Sequence, residues 1–289
     1  MASHCLAISD LSASLVTTIA MGSACAVLSV IVVLRRWAFI GEGIAHAGFG
    51  GAGTAWLLAL LFPATALLSH RPAVYGIAML FCVGVGLLIA FATRRGQLGA
   101  DTAIGICLVG SIAWGFIASG IYRQVTHALP PTWDEFLFGQ LQFPVRLMFA
   151  TALICLAIVA VVAALWKEII AYGFDPALAE MSGVRVGFIH YLLIVMVTLT
   201  ILVGMMLMGP LLVTAFLVLP GAIALQLSRK LAFVVALAVL SGVVGAVAGP
   251  LISTHWHAIP GGPAMVLVLI GEFGAAYGWG RISRQGAAR

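Results

Sequence analysis

Long, nearly continuous runs of apolar residues dominate this sequence, and the core of a water-soluble protein does not contain runs of that length. About 20 consecutive apolar residues span a bilayer as an α-helix. Only helices and closed barrels satisfy their backbone hydrogen bonds in lipid. The runs lack the alternation of polar and apolar residues that barrel strands need. The sequence therefore predicts an all-α, polytopic integral membrane protein.

The composition leaves no room for a soluble domain. Only 8% of the 289 residues are charged and 63% are hydrophobic, whereas about a quarter of the residues in a soluble domain are charged. The longest polar stretches, 121–144 and 167–185, are too short to fold alone. We therefore predict a single transmembrane domain over 1–289. Its net charge of +5 is explained by Arg and Lys at the ends of apolar runs, so it indicates contact with lipid and not with nucleic acid.

The apolar runs predict about eight or nine transmembrane helices. Within 186–227, Gly204, Gly209 and Pro210 offer an alternative, in which this stretch breaks into short or re-entrant helices. Loops are expected at 121–144 and 251–262. The nine predicted spans are 12–34, 44–68, 73–93, 102–120, 145–166, 186–205, 208–227, 231–250 and 263–280.

The distribution of positive charge predicts the orientation of these spans. With the N-terminus outside, eleven of the 14 Arg and Lys residues lie in cytoplasmic segments and three lie outside. Cytoplasmic loops of membrane proteins carry the excess of Arg and Lys. We therefore expect the N-terminus outside and the C-terminus in the cytoplasm, which requires an odd number of spans.

Glu42 and His46 are the first candidates for chemistry, in the glycine-rich run IGEGIAHAG at 40–48. If this run is helical, residues four apart share a face, and a carboxylate with an imidazole offers two ligands to a first-row divalent cation. The alternative is an interfacial glutamate beside a histidine bonded to a carbonyl, since two ligands do not complete a site. The glycines predict either close helix packing or an unwound backbone.

A second candidate is a two-turn helix within the charged segment 167–185. Asp175 is a typical N-cap with Pro176 at the first helical position, and Gly183 is a typical helix end. Such a helix in a loop is either a surface connector or a knob that docks in a cleft of a partner protein.

Other residues carry weaker signals for a transport pathway. Pro210 and Pro220 predict kinks, and kinked helices either line transport paths or simply pack. Glu272 lies near the middle of an apolar run, where a carboxylate either faces the pathway or pairs with a histidine. His255 and His257 form an HWH run on an expected outer loop, where they either meet a delivered ion or are solvated.

The sequence lacks the motifs of several enzyme classes. The phosphate-binding pattern GxxxxGK[ST] does not occur, and neither lysine, Lys167 or Lys230, has the neighbours it requires. HExxH and serine nucleophile elbows are also missing, so we predict a protein that is not an enzyme and holds no permanent cofactor. The five cysteines form no CxxC pair and mostly lie in apolar runs, where they are expected to pack as small residues.

Several segments, in order along the chain, resemble one family. They begin with RRWAFIGEGIAH at 35–46, similar to a basic pair followed by Gly-Asp-x-x-x-His. The others are DTAIGI at 101–106, LFG at 137–139, FDP at 174–176 with Ala179 and Gly183, the span 209–224, and PGGPAMVL at 260–267. Together they resemble the permease subunits of ATP-binding-cassette importers for zinc and manganese.

The resemblance implies a homodimeric permease in the bacterial inner membrane, carrying zinc or manganese and, by its ligand chemistry, also suited to iron. It implies two cytoplasmic ATP-binding subunits and an extracytoplasmic metal-binding protein as partners. The metal ligands would be Glu42 and His46, although Glu replaces the family's Asp, and the second span would begin nearer Trp37. The segment that couples to the ATPases would contain Phe174, Asp175, Pro176 and Gly183. The alternative function is a stand-alone secondary metal transporter, which would need more membrane carboxylates for ion coupling.

Overall fold

A computed structural model describes residues 2–62, 71–94, 98–127, 145–256 and 261–287, with side chains for all but the ends of some helices. The described residues form eleven α-helices and no β-strand. In chain order these are α1 (Ala2–Leu34), α2 (Ile40–Leu61), α3 (Arg71–Arg94), α4 (Ala100–Thr126), α5 (Val145–Ala164), α6 (Trp166–Phe174), α7 (Pro176–Met181), α8 (Val186–Met208), α9 (Pro210–Leu227), α10 (Leu231–His255) and α11 (Gly261–Ala287).

Eight helices within the described ranges are long and apolar enough to cross a membrane. A ninth crossing forms if α5 and α6, which meet at a bend of 74°, are counted as one span. The prediction of an all-α polytopic membrane protein with about eight or nine spans is confirmed.

The chain divides into two compact units, each assembled from separate stretches of sequence. The first unit comprises Met1–Ala38, Gln142–Leu178 and Leu212–Arg289, and the second comprises Phe39–Leu141 and Ala179–Leu211. Helices α1, α5, α6, α10, α11 and nearly all of α9 belong to the first unit, α2, α3, α4 and α8 belong to the second, and α7 is divided between the two. The single transmembrane domain expected over 1–289 stays a prediction.

Helix α2 is the centre of the second unit and packs against α3 and α4 through its glycines. A Cβ atom added at Gly51 would lie 2.6 Å from the Cα of Ala78, and one at Gly43 would lie 2.7 Å from the side chain of Ile104. Since α2 is helical from Ile40 to Leu61, these glycines serve close helix packing. The alternative of an unwound backbone at 40–48 is wrong.

In the first unit, α1 and α10 approach each other through small residues. An added Cβ at Gly242 would lie 2.8 Å from the Cβ of Ala26 and 2.9 Å from the carbonyl oxygen of Gly22. Cys155 of α5 lies 3.5 Å from the sulfur of Met21. Among the described cysteines, Cys25, Cys82 and Cys155 are buried and free, as expected for packing residues.

Some predicted boundaries are wrong. Helix α4 continues to Thr126, so the first residues of the expected loop 121–144 are helical, and α10 continues to His255, which places this histidine on a helix and not in the loop 251–262. Helix α2 begins at Ile40, earlier than the predicted 44 and closer to the start that the family resemblance implies. The stretch 186–227 breaks once, at Gly209, where φ is +82°, and α8 runs through Gly204.

Candidate functional site

Glu42 and His46 lie one turn apart at the start of α2. His46 Nε2 and Glu42 Oε1 are 2.8 Å apart, and the side chains are 32% and 43% exposed, respectively. They stay partly open because they share a face, while their neighbours on the opposite side, Ile44 and Ala45, are buried. The predicted face-sharing pair is confirmed as geometry; its metal-binding role stays a prediction.

The contact between the two side chains limits what they can do chemically. At 2.8 Å one proton lies between the imidazole nitrogen and the carboxylate oxygen, and it must leave if both atoms are to bind the same cation. Within the described ranges, no group of three or more His, Cys, Asp or Glu residues is arranged to hold a metal ion. The pair therefore offers one oxygen and one nitrogen ligand, and the remaining ligands of a metal ion would come from other groups.

The short helix α7 has the ends that the sequence predicts. Oδ1 of Asp175 accepts hydrogen bonds from the backbone N–H groups of Ala177, at 2.8 Å, and Leu178, at 3.2 Å, so Asp175 is the N-cap. Gly183, with φ +85°, ends the helix in a Schellman motif: its N–H donates to the carbonyl of Glu180, and that of Val184 to the carbonyl of Ala179. The segment is thus a pre-formed helical connector.

Large apolar side chains along this connector face outward. Phe174 is 64% exposed, Leu178 61% and Met181 85%. Leu178 and Met181 are three apart on α7 and therefore neighbours on its surface. The exposure of Leu178 and Met181 was not predicted from the sequence, although two large apolar residues three apart within the charged segment 167–185 are a readable signal. Exposed apolar groups of this size suit contact with another protein.

The two pathway prolines differ in position. Pro210 is the first residue of α9, directly after the break at Gly209, while Pro220 is buried in the interior of the same helix. Next to it, a Cβ added at Gly221 would lie 2.6 Å from the backbone of Ser29. This close approach supports the packing interpretation of Pro220. Its predicted role in gating stays a prediction.

Glu272 has a hydrogen-bond partner that its sequence position did not reveal. The Oγ of Ser241 on α10 donates to Oε2 of Glu272 on α11. Both side chains line a cavity of about 390 Å³ whose other walls are apolar, with Trp279 and Leu227 among them. The partner is a serine, so the expected alternative of a histidine partner is not what the geometry shows.

Of the two histidines expected on an outer loop, the structure describes one. His255, at the end of α10, is exposed and its ring lies 6.3 Å from that of Trp256. His257 falls outside the described residues. Glu42 and His46 belong to the second unit, whereas Glu272 and His255 belong to the first. Among the predicted site residues, the structure thus joins Glu42 to His46, and it bonds Glu272 to Ser241.

Comparison with known proteins extends over nearly the whole chain. A family model described as "ABC 3 transport family" matches residues 8–276. The manganese transport system membrane protein MntC of Listeria monocytogenes is 31% identical over 262 residues, which cover 90% of this chain and 87% of that protein.

Two further similarities agree with these. The chelated iron transport system membrane protein YfeD of Yersinia pestis is 30% identical over 258 residues, covering 88% of this chain and 80% of that protein. A solved structure described as PsaBC from Streptococcus pneumoniae in complex with Fab superposes with a TM-score of 0.72 at 26% identity, covering 92% of this chain and 90% of the matched one.

Proposed function

The chain belongs to the ABC 3 transport family, and on this premise we propose that it is the membrane permease subunit of an ATP-driven importer of a divalent metal ion. Similar proteins named for manganese and for chelated iron support these two cargoes, and zinc is the third cargo to test. The chain supplies the pathway through the inner membrane as one domain, two cytoplasmic subunits hydrolyse ATP, and an extracytoplasmic protein delivers the metal.

The observation that carries this proposal is the Glu42–His46 pair. A carboxylate and an imidazole, 2.8 Å apart and both partly exposed on a membrane helix, are costly to place there without a function. Oxygen with nitrogen suits Mn²⁺, Fe²⁺ and Zn²⁺. A site to which the described residues contribute two side-chain ligands binds weakly enough to release its ion, which a transport site requires.

The connector around α7 is the proposed contact with the ATPase subunits. Its ends are fixed by Asp175 and Gly183, and it presents exposed apolar side chains. A pre-formed helix loses little conformational entropy when it docks. Movement of the ATPase subunits would therefore be passed to the membrane helices with little loss. A pair of chains, each with one such helix, would engage the two ATPase subunits.

The test is metal uptake by vesicles that contain the chain with its ATPase and metal-delivering partners. His46→Ala removes a ligand, so we expect uptake of radiolabelled manganese or iron to fall by about tenfold or more. The matched control is His127→Asn, because His127 is exposed at the end of α4 with φ +55° and asparagine tolerates that conformation.

The control variant should retain wild-type uptake. If His46→Ala, with expression verified, imports all three metals at the wild-type rate, the assigned site is wrong. If the purified chain imports metal without an ATPase, the alternative of a secondary transporter replaces the proposal.

A further inference from the structure

The turn between α1 and α2 has a fixed geometry. The N–H of Arg36 donates to the carbonyl of Val33 and the N–H of Trp37 to that of Val32, at 3.1 and 2.8 Å. Arg36 is left-handed, with φ +57°. These are the two bonds of a Schellman motif, here formed without glycine. The turn therefore fixes the direction in which the Arg35 side chain leaves the backbone. Helix α2 begins three residues after Trp37.

The Arg35 side chain is stacked on α6. Its guanidinium carbon lies 4.4 Å from the centre of the Tyr172 ring and 5.8 Å from that of Trp37. Tyr172 is 1% exposed, so this cation–π contact is largely removed from water, where such contacts are strongest. Arg35 Nε finds no hydrogen-bond acceptor within the described part of the chain. The stacking on Tyr172 is thus a main attachment of this side chain.

Each partner of this contact lies a few residues from a segment with a proposed role in transport. Tyr172 precedes Asp175, the cap of α7, by three residues, and Arg35 precedes Glu42 by seven. Phe174 and the capped helix follow Tyr172 without any flexible segment, since Asp175 is hydrogen-bonded to α6 through its N–H and to α7 through its carboxylate. A displacement of α7 therefore moves Tyr172, and Tyr172 holds the turn that begins α2.

We propose that the Arg35–Tyr172 contact is the joint through which a movement of α7 reaches the proposed metal ligands Glu42 and His46. This inference rests on the proposed function. Arg35 and Tyr172 are positioning residues: neither needs to touch the metal or the nucleotide. Breaking the contact lets the ATPases cycle without moving the ligands, so ATP is hydrolysed without import.

The experiment measures manganese or iron ions imported per ATP hydrolysed by the complete complex in proteoliposomes, for Arg35→Gln, Tyr172→Leu and the double variant. We expect each single variant to lower this ratio by about tenfold, the size expected when a desolvated cation–π contact is lost. Because both changes remove the same contact, the double variant should be no worse than either single variant. The affinity of the resting complex for the metal should stay within about twofold of wild type.

Two matched variants separate this joint from a general effect on folding. Arg36→Gln removes the adjacent, exposed charge and should retain most of the import per ATP. Tyr172→Phe keeps the aromatic ring but loses the hydroxyl that is hydrogen-bonded to Arg35, so it should lower the import per ATP less than Tyr172→Leu does. A merely structural contact would lower assembly, hydrolysis and import together and leave their ratio unchanged.

The outcomes are distinct. If the wild-type complex imports no metal with ATP, the proposed function fails and the inference with it. If the wild type imports and Arg35→Gln keeps the wild-type ratio, the inference alone is wrong. Should Tyr172→Leu fail to assemble, Arg35→Gln decides, and if neither assembles the contact is structural and the proposal is overturned.

Discussion

The length of one side chain determines the geometry of the candidate metal pair. Glu42 has two methylene groups, and at the i, i+4 spacing this lets Oε1 reach the Nε2 of His46 at 2.8 Å. An aspartate at this position would withdraw the carboxylate toward the helix and lose that contact. The resting pair would then be two separate ligands, and a cation would no longer have to displace a shared proton.

Two substitutions of Glu42 therefore test separately the negative charge of this side chain and its length. Glu42→Gln removes the anionic ligand, and we expect metal affinity to fall by about tenfold or more because ligand charge sets affinity for hard cations. Glu42→Asp keeps the charge and should bind within about tenfold of wild type while changing the ratio of manganese to zinc affinity. Titration of the purified complex with each metal measures both. Equal affinity of Glu42→Gln and wild type would contradict a ligand role.

Contacts between residues far apart in the sequence could not be predicted from it. The i, i+4 pair and the cap at Asp175 depend on local spacing, and both were predicted correctly as geometry. Ser241 lies 31 residues from Glu272. Arg35 and Tyr172, which are in contact, are separated along the sequence by four of the described helices. No local pattern indicates such partners, because they depend on which helices pack together.

Helix contacts in the second unit depend on glycine at positions that a methyl group would block. At Gly51 an added Cβ would meet the backbone Cα of Ala78 at 2.6 Å, and backbone cannot move aside as a flexible side chain can. The same addition at Gly84 of α3 would meet nothing within 4 Å. These two glycines are therefore a matched pair on two neighbouring helices.

Gly51→Ala should destabilise the protein, by about 1–3 kcal/mol, as overpacking of a close contact does. Gly84→Ala should leave the stability unchanged or raise it slightly, because alanine favours a helix more than glycine. The midpoint of thermal unfolding in detergent compares the two. A Gly51→Ala protein as stable as wild type would mean that α2 and α3 are not in close contact.

The connector helix depends on its cap. Asp175→Ala leaves the N–H groups of Ala177 and Leu178 without their shared acceptor, which costs about 1 kcal/mol. For a helix of six residues this loss is a large fraction of its stability, so we expect weaker binding of the ATPase subunits. Asp175→Asn still caps and is the control. Binding of purified ATPase to both variants measures the difference, and equal binding would remove the cap from the coupling mechanism.

The ends of long helices were harder to predict than the ends of the short one. Hydropathy detects the apolar part of a span, whereas the helix continues until its backbone meets a stop. Helix α4 runs past the polar Tyr122 and Arg123 to His127, which is left-handed with φ +55°. Helix α10 likewise passes Pro250 and Thr254 before it ends. Polar residues at a membrane surface are compatible with helix, so they do not mark its end.

At the scale of the whole molecule, the number of crossings decides the orientation. Each of the two units is assembled from separate stretches of sequence. Hydropathy does not reveal this division, because α1 packs against α10, which lies far along the chain from it. The count of spans was predictable to within one. That one is the bent pair α5–α6, and if it crosses, the connector around α7 lies on the opposite side from the end of α4.

Single cysteines in a background without the native ones test this crossing. His127→Cys reports the end of α4, Ser182→Cys the connector, and Lys230→Cys the turn between α9 and α10. The excess of Arg and Lys on one side predicts that His127→Cys is outside while the other two are cytoplasmic. A membrane-impermeant maleimide should therefore label His127→Cys in right-side-out vesicles, and Ser182→Cys and Lys230→Cys only in inverted ones.

Lys230→Cys is the internal control, since α8 and α9 together return the chain to the side of α7. Labelling of His127→Cys and Ser182→Cys from the same face would show that α5 and α6 do not cross. If that face is the outer one, the proposed ATPase contact lies on the wrong side of the membrane.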